Sequence, residues 1–225
     1  FHQDVEVVVA VYNEDVSWLN DPMFKDMKVT IYNKGPNDIK ECKENCNIKK
    51  LENEGREVHT YLKHIVDNYD NLSPLTIFIV GSWKHPEKDY IANKVITESL
   101  STKDTVIPVW SAPGDLYGFQ LNEYGSSDAN NKSLNNSSSM RPAPQRPFGV
   151  WYKMNFSDTP LVMVSYKGIF AVSRDDIQRH PVSYYEHFMN MTSGHTNPEV
   201  GHYIERTWYS IFGPLDDSKT RRMDG

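Results

Sequence analysis

Three short apolar runs constrain this chain more than any other feature. Val5-Glu6-Val7-Val8-Val9-Ala10-Val11-Tyr12 is a β-branched run short enough for a buried strand, and residues 27–32 and 75–80 read the same way. Each run stops at polar or turn-forming residues: Asn13-Glu14-Asp15, then Asn33-Lys34-Gly35-Pro36, then Gly81-Ser82-Trp83-Lys84. Between the second and third runs, Val58, Leu62, Ile65 and Val66 recur at the spacing of one buried helix face. Strand, helix and strand in alternation predict an α/β fold with a mostly parallel central sheet flanked by helices. Ligands of such sheets gather beyond the carboxyl ends of the strands, which makes Asn13, Glu14, Tyr32, Asn33, Trp83 and Lys84 candidates for a binding site.

The approach to that helix is the second focus. Asn53 is read as its N-cap, with Glu54, Gly55, Arg56 and Glu57 as the first turn. Free backbone N–H groups and the positive end of the dipole favour an anion there, and Arg56 adds a fork suited to phosphate or carboxylate. His59, one turn on, joins the same candidate set. A capped surface helix with Arg56 paired to a glutamate fits the same spacing.

Residues 37–52 are charged and poor in large apolar groups, and read as a loop or short exposed helix. Residues 90–100 suit a helix, and Val106 to Trp110 a short edge strand, since Pro108 disfavours a central place. The serine- and asparagine-rich tract that ends in the prolines before Phe148 predicts a mobile insertion at 123–147 within one domain spanning 1–225. Beyond it, 148–152, 161–166 and 168–172 read as late strands. Ser173 caps a helix that Pro181 soon ends, another helix starts near Ser183, and residues 199–212 close the chain as a helix. On that last helix Glu199, His202, Glu205 and Arg206 recur three or four residues apart, so their heads share one flank. Carboxylates, an imidazole and a guanidinium together can serve a general base working beside an anion. A salt-bridged amphipathic helix has the same pattern.

The formal net charge of −6 argues against a general nucleic-acid binder, and no apolar run is long enough to span a bilayer. Cys42 and Cys46 read as ordinary thiols or at most one local bridge, with only a weak zinc signal. The chain starts at Phe1 rather than at a methionine, which reads as a domain excised from a longer protein.

Taken in order, Tyr12-Asn13-Glu14-Asp15 with Trp18, Ile31-Tyr32-Asn33-Lys34-Gly35, Asn53-Glu54-Gly55-Arg56-Glu57-Val58-His59-Thr60-Tyr61-Leu62, Gly168-Ile169-Phe170-Ala171-Val172-Ser173 and Glu205-Arg206-Thr207-Trp208 resemble the DUF3431 family. That family is known from fungi, algae and large DNA viruses, and its function is unassigned. More distantly, the layout is similar to glycosyltransferases of the GT-A type. This resemblance implies transfer of a sugar from a nucleotide-sugar donor to the hydroxyl of a glycan or glycoprotein acceptor. Asn13, Glu14, Tyr32 and Asn33 would hold base and ribose, and Asn53, Gly55 and Arg56 would face the diphosphate or sugar. Glu199, with Glu205 and Asp175 behind it, would act as the base of an inverting reaction. His202 would orient the acceptor or bind a metal, or equally serve as a structural hydrogen-bonding residue.

One departure stands out. GT-A enzymes usually carry an Asp-x-Asp metal motif, whereas here Phe78-Ile79-Val80 runs into Gly81-Ser82-Trp83, and the adjacent pairs Asp175-Asp176 and Asp216-Asp217 lie in cap or tail contexts. No metal ligand is assigned, Mn²⁺ or Mg²⁺ is left open, and Arg56, Lys84, Arg206 or Arg221-Arg222 would neutralise the leaving diphosphate. A non-catalytic carbohydrate-binding or scaffolding domain that keeps the transferase shape would lose the motif too. A hydrolase is disfavoured, since neither a Gly-x-Ser-x-Gly nor a His-Glu-x-x-His element occurs. The expected location is the cytoplasm, or the Golgi lumen for a protein with an upstream anchor.

Overall fold

The computed structural model describes residues 4–40, 42, 46–121, 140–157 and 159–224. Strand β1 (Val5–Val11) is buried along its whole length and pairs in parallel with β2 (Lys28–Asn33) on one side and β4 (Leu75–Val80) on the other. A strand covered on both faces and both edges has no polar side to keep, which is why its sequence is almost continuously β-branched. Beyond β2 lies β3 (Cys46–Lys50), also parallel, and beyond β4 lies β7 (Phe170–Ser173), antiparallel, so the sheet order is β3-β2-β1-β4-β7. The expected α/β architecture with a mostly parallel sheet flanked by helices is therefore the one observed.

Two apolar layers sandwich this sheet. Val8, Ala10, Tyr32 and Phe78 face α1 (Arg56–Asp67), α5 (Val182–Thr192), α6 (Glu199–Glu205) and α7 (Trp208–Ile211). Val7, Val9, Val11, Ile31 and Ile79 face the 3-10 turns around Trp18 and Phe24 and helix α2 (Pro86–Thr102). The β1–β2 connection thus covers one face and the β3–α1–β4 connection the other. The chain reverses its winding between β1 and β4, and the carboxyl ends of these two strands form a topological switch point.

Several expectations are corrected. Residues 148–152 form the start of a helix, α3 (Phe148–Phe156), because as a helix Phe148, Trp151 and Tyr152 share one face, buried against Tyr203 and Phe188. Part of the lysine-rich stretch 37–52 is the edge strand β3; its charge protects an open edge from further pairing. Cys42 and Cys46 form, at its start, the one local bridge that the sequence reading allowed. The strand containing Pro108, β5 (Ile107–Ser111), is central rather than peripheral, in a small sheet ordered β6-β5-β8. Pro108 is tolerated because β6 (Met163–Val164) pairs only with Trp110 and Ser111, while β8 (Thr220–Arg222) takes the other edge.

The late run 161–166 is reduced to β6. Ser173 caps α4 (Arg174–Ile177) as expected. The final helix breaks between α6 and α7 at Thr207, whose hydroxyl donates back to the Tyr203 and Ile204 carbonyls. The expected mobile insertion lies outside the described residues from 123 to 139. Its end, 140–147, runs along α6, where Arg141 bridges to Pro198. Among the described residues no helix is long and apolar enough to cross a membrane.

Candidate functional site

At the switch point the strand ends open into a cleft of about 480 Å³. Tyr12 and Glu14 come from the end of β1, Lys34 from the end of β2, Ser82 and His85 from the passage between β4 and α2, and Glu87 and Lys88 from the first turn of α2. Asn53, Arg56 and Glu57 enter from the start of α1, Lys167 from the turn before β7, and Thr196, His202 and Glu205 from α6 and the loop before it. Four cations and several carboxylates thus share one concavity.

Strand alternation explains how Lys34 gets there. Its N–H donates to the Val11 carbonyl at 2.7 Å, extending the β2–β1 ladder, so Lys34 shares the α1-facing side with Tyr32 two residues earlier. The next residue has to be glycine on grounds of space, since a Cβ on Gly35 would lie 1.5 Å from the Tyr12 carbonyl oxygen. Lys34 Nζ then donates to the carbonyls of Glu54 at 2.5 Å and Arg56 at 2.6 Å. Burial pulls its ammonium down to about 8, against the opposing pull of Glu57 and Glu54.

Helix α1 begins later than expected. Gly55, not Asn53, is the cap: it adopts φ 58°, no side chain caps the helix, and the Gly55 N–H donates to the His195 carbonyl at 2.8 Å. Arg56 follows at φ 53°, a left-handed geometry uncommon for a residue with a side chain. A second left-handed pair, Lys167 (φ 73°) and Gly168 (φ 60°), lies across the cleft, held by the Tyr61 hydroxyl donating to the Gly168 carbonyl at 2.8 Å. Strained backbone of this kind concentrates where side chains must be held for a function.

The turn at 167–168 also organises the acids. The Lys167 N–H donates to Glu205 at 3.0 Å, and Gly168 packs directly against the Glu57 side chain. Burial, then the charge of Glu57, push the Glu205 carboxyl above its usual range, while Arg206 at 3.9 Å and Arg56 pull the other way. Burial and the nearby Arg56 and Arg206 guanidinium groups hold His202 well below its usual value, so it is neutral, with Nε2 hydrogen-bonded to Asn197 Oδ1 at 2.9 Å. Ser82 Oγ accepts from Lys88 at 2.8 Å, and Lys167 Nζ pairs with Glu87 at 2.9 Å.

Of the residues singled out from sequence, Glu14, Asn53, Arg56, His202 and Glu205 line this cleft. The others are placed differently. Glu199, the first choice for a base, is fully buried elsewhere: it accepts from the N–H groups of Leu121 at 2.7 Å and Ala143 at 2.9 Å and pairs with Arg146 at 2.8 Å. Asp175 lies near the opposite end of the sheet, beside Pro74 and Lys103. Tyr32 is buried, its hydroxyl against His64 at 3.1 Å; Asn33 braces its own turn through Asn37 and Gly35; Asn13 is near Asn37 at 3.4 Å. Gly55 shapes the backbone, and His59 is buried between Thr192 and Glu54. Trp83 is a core residue against Trp18, and Lys84 lies over its ring and pairs with Asp89. Arg206 stacks on Phe119 at 4.3 Å and donates to the His202 carbonyl. Arg221 and Arg222 pair with Glu98 and Asp224 on the small sheet.

Sequence reading passed over Lys34, Glu57, His85, Glu87, Lys88, Lys167 and Thr196. Lys34 stood inside a motif taken only as a turn, and Glu57 directly follows Arg56; the others carried no local signal. Among the described residues, no three His, Cys, Asp or Glu side chains converge to hold a metal ion.

No curated protein matches the chain. The family model described as protein of unknown function (DUF3431) matches residues 7–107. This stretch runs from β1 into β5 and supplies the cleft with its strand ends and the start of α1; over these residues the chain is similar to the DUF3431 family.

Proposed function

We propose that this protein is an inverting glycosyltransferase of GT-A-like fold that binds a nucleotide-sugar at the β1–β4 switch point. The observation that carries this reading is a single cleft joining four cations, Lys34, Arg56, Lys88 and Lys167, to a carboxylate, Glu205, raised above its ordinary range. A leaving diphosphate needs the first, and deprotonation of an acceptor hydroxyl needs the second. Glu205 takes the base role in place of Glu199. In the reaction, the acceptor oxygen forms a bond to the anomeric carbon as its proton passes to Glu205. The bond from that carbon to the diphosphate oxygen breaks, and the electron pair leaves with the nucleoside diphosphate, whose charge the cations balance.

The test is a thermal-shift panel of UDP, GDP, CMP and dTDP, each in EDTA and in Mn²⁺, because a ligand that binds only the folded state raises its apparent stability. One nucleotide should stabilise the protein. A response only with Mn²⁺ would assign part of the diphosphate's charge to a metal held by the cleft carboxylates. Silence across the panel would favour a non-catalytic carbohydrate-binding or scaffolding domain.

A further inference from the structure

Lys34 is built into the cleft in a way that a simple structural lysine does not need. It is 7 % exposed yet lines the cavity. Two of its three ammonium hydrogens go to the carbonyls of Glu54 and Arg56, the residues on either side of Gly55, and the third finds no acceptor among the described residues. The turn it grips is the left-handed Gly55–Arg56 pair, which presents the Arg56 side chain to the same cavity. The turn has little room to relax: a Cβ on Gly55 would approach His59 Cβ to 2.4 Å and the Thr192 carbonyl oxygen to 2.8 Å.

We propose that Lys34 is the anion sensor of the cleft: its third hydrogen binds a phosphoryl oxygen of the ligand while the other two hold the strained turn that aims Arg56 at the same group. The assignment rests on the nucleotide-sugar reading for the identity of the anion, a diphosphate, but not for the site itself. A binding anion and the strained turn then depend on one ammonium, so occupancy of the cleft and protonation of Lys34 are linked. The charged groups acting on Lys34 are Glu57 and Arg56 from α1, Glu54 from the loop before it, and Glu14 from the end of β1. Burial, only partly offset by the three carboxylates, leaves it half-protonated near pH 8 in the free protein, and an added dianion at hydrogen-bond range favours the charged form.

The experiment follows the Lys34 ammonium by NMR in lysine-labelled protein across a pH titration. It is run without ligand, with sulfate, which has no proton to exchange in this range, and with each nucleoside diphosphate of the panel. Lys34→Met identifies the resonance and supplies an affinity comparison. The expected result is an upward move of the Lys34 midpoint by about one unit or more when sulfate or the cognate nucleotide binds. With it goes a loss of affinity of about tenfold to a hundredfold in Lys34→Met. If that variant fails to fold, Lys34→Arg identifies the resonance instead and the wild-type titration still decides. A nucleotide that binds and leaves the Lys34 midpoint in place overturns the sensor while sparing the transferase reading. A shift with sulfate and no binding of any nucleotide upholds the sensor and overturns the nucleotide-sugar donor. No shift with any of these anions overturns the sensor.

Discussion

Glu199 and Glu205 stand at the two ends of one short helix and live in opposite circumstances. Glu199 is completely enclosed and accepts from two backbone N–H groups and the Arg146 side chain, so both its oxygens are partnered. Glu205 receives one backbone N–H, from Lys167, has the Arg206 guanidinium only at 3.9 Å, and faces the like charge of Glu57. Helical geometry explains the divergence. Each step of three residues falls short of a full turn, so two such steps carry Glu205 about 120° around α6 from Glu199. A series that reads as one flank in the sequence therefore winds from the protein interior to the cleft. The comparison teaches that a fully partnered carboxylate holds the fold, and one set against a like charge is kept for chemistry.

The largest effect should come from Glu205→Gln. Removing the base should slow transfer by about 10²- to 10⁴-fold and leave nucleotide affinity within about twofold. The same change should raise stability at neutral pH. Because the folded-state pKa of Glu205 lies above its unfolded value, its contribution is full below the ordinary carboxylate range and is lost as pH rises through the folded value. An amide cannot ionise and escapes that loss. Steady-state kinetics with thermal melts check both halves, and wild-type turnover in the variant would move the base elsewhere.

Glu199→Gln should do the reverse. It breaks a buried ion pair and weakens two charge-assisted backbone bonds, at a cost of about 2–4 kcal/mol in urea unfolding, with turnover per folded molecule nearly unchanged. Lost turnover at full stability would restore Glu199 as the base and invert the comparison.

Gly55→Ala tests the backbone at the cleft. Its positive φ and the close approach of His59 and Thr192 predict a loss of about 1–3 kcal/mol together with weaker anion binding, because the turn that carries Arg56 must shift. A variant as stable as wild type with unchanged affinity would show that the left-handed turn is not needed to aim Arg56.

The parts that could be read from sequence share a physical cause. β1 and β4 are covered on both faces, so burial left a continuous apolar record, and α1 buries one face, so its period survived. β3 left none, since an exposed parallel edge draws its stability from β2 and its composition from solvent. Residues 148–152 misled because a short run of aromatic and branched residues fits both periods, and only packing against Tyr203 and Phe188 selects the helix. The location of the cleft beyond the strand ends followed from the α/β pattern. Its chemistry did not, because Lys34, Lys88 and Lys167 come from three separate connections and acquire meaning only when the switch point brings them together.

The smallest change offers the sharpest discrimination. Glu57 acts on both ionisations that the proposed reaction needs: its charge raises Glu205 and also raises Lys34. Activity should therefore fall on the acid side as Glu205 gains its proton and on the alkaline side, near pH 8, as Lys34 loses its own. In Glu57→Gln the like charge beside Glu205 is gone, so the acid limb moves down toward ordinary carboxylate values. The stabilising charge beside Lys34 is gone as well, so the alkaline limb moves down with it. The whole bell should slide toward acid by about one unit or less, with its height changed by under about tenfold. A Glu57 that merely supported the fold would lower the profile without moving it. Movement of the acid limb alone would retain the carboxylate pair and remove Lys34 from ligand binding, since only a group that must be charged for binding can set the alkaline limb.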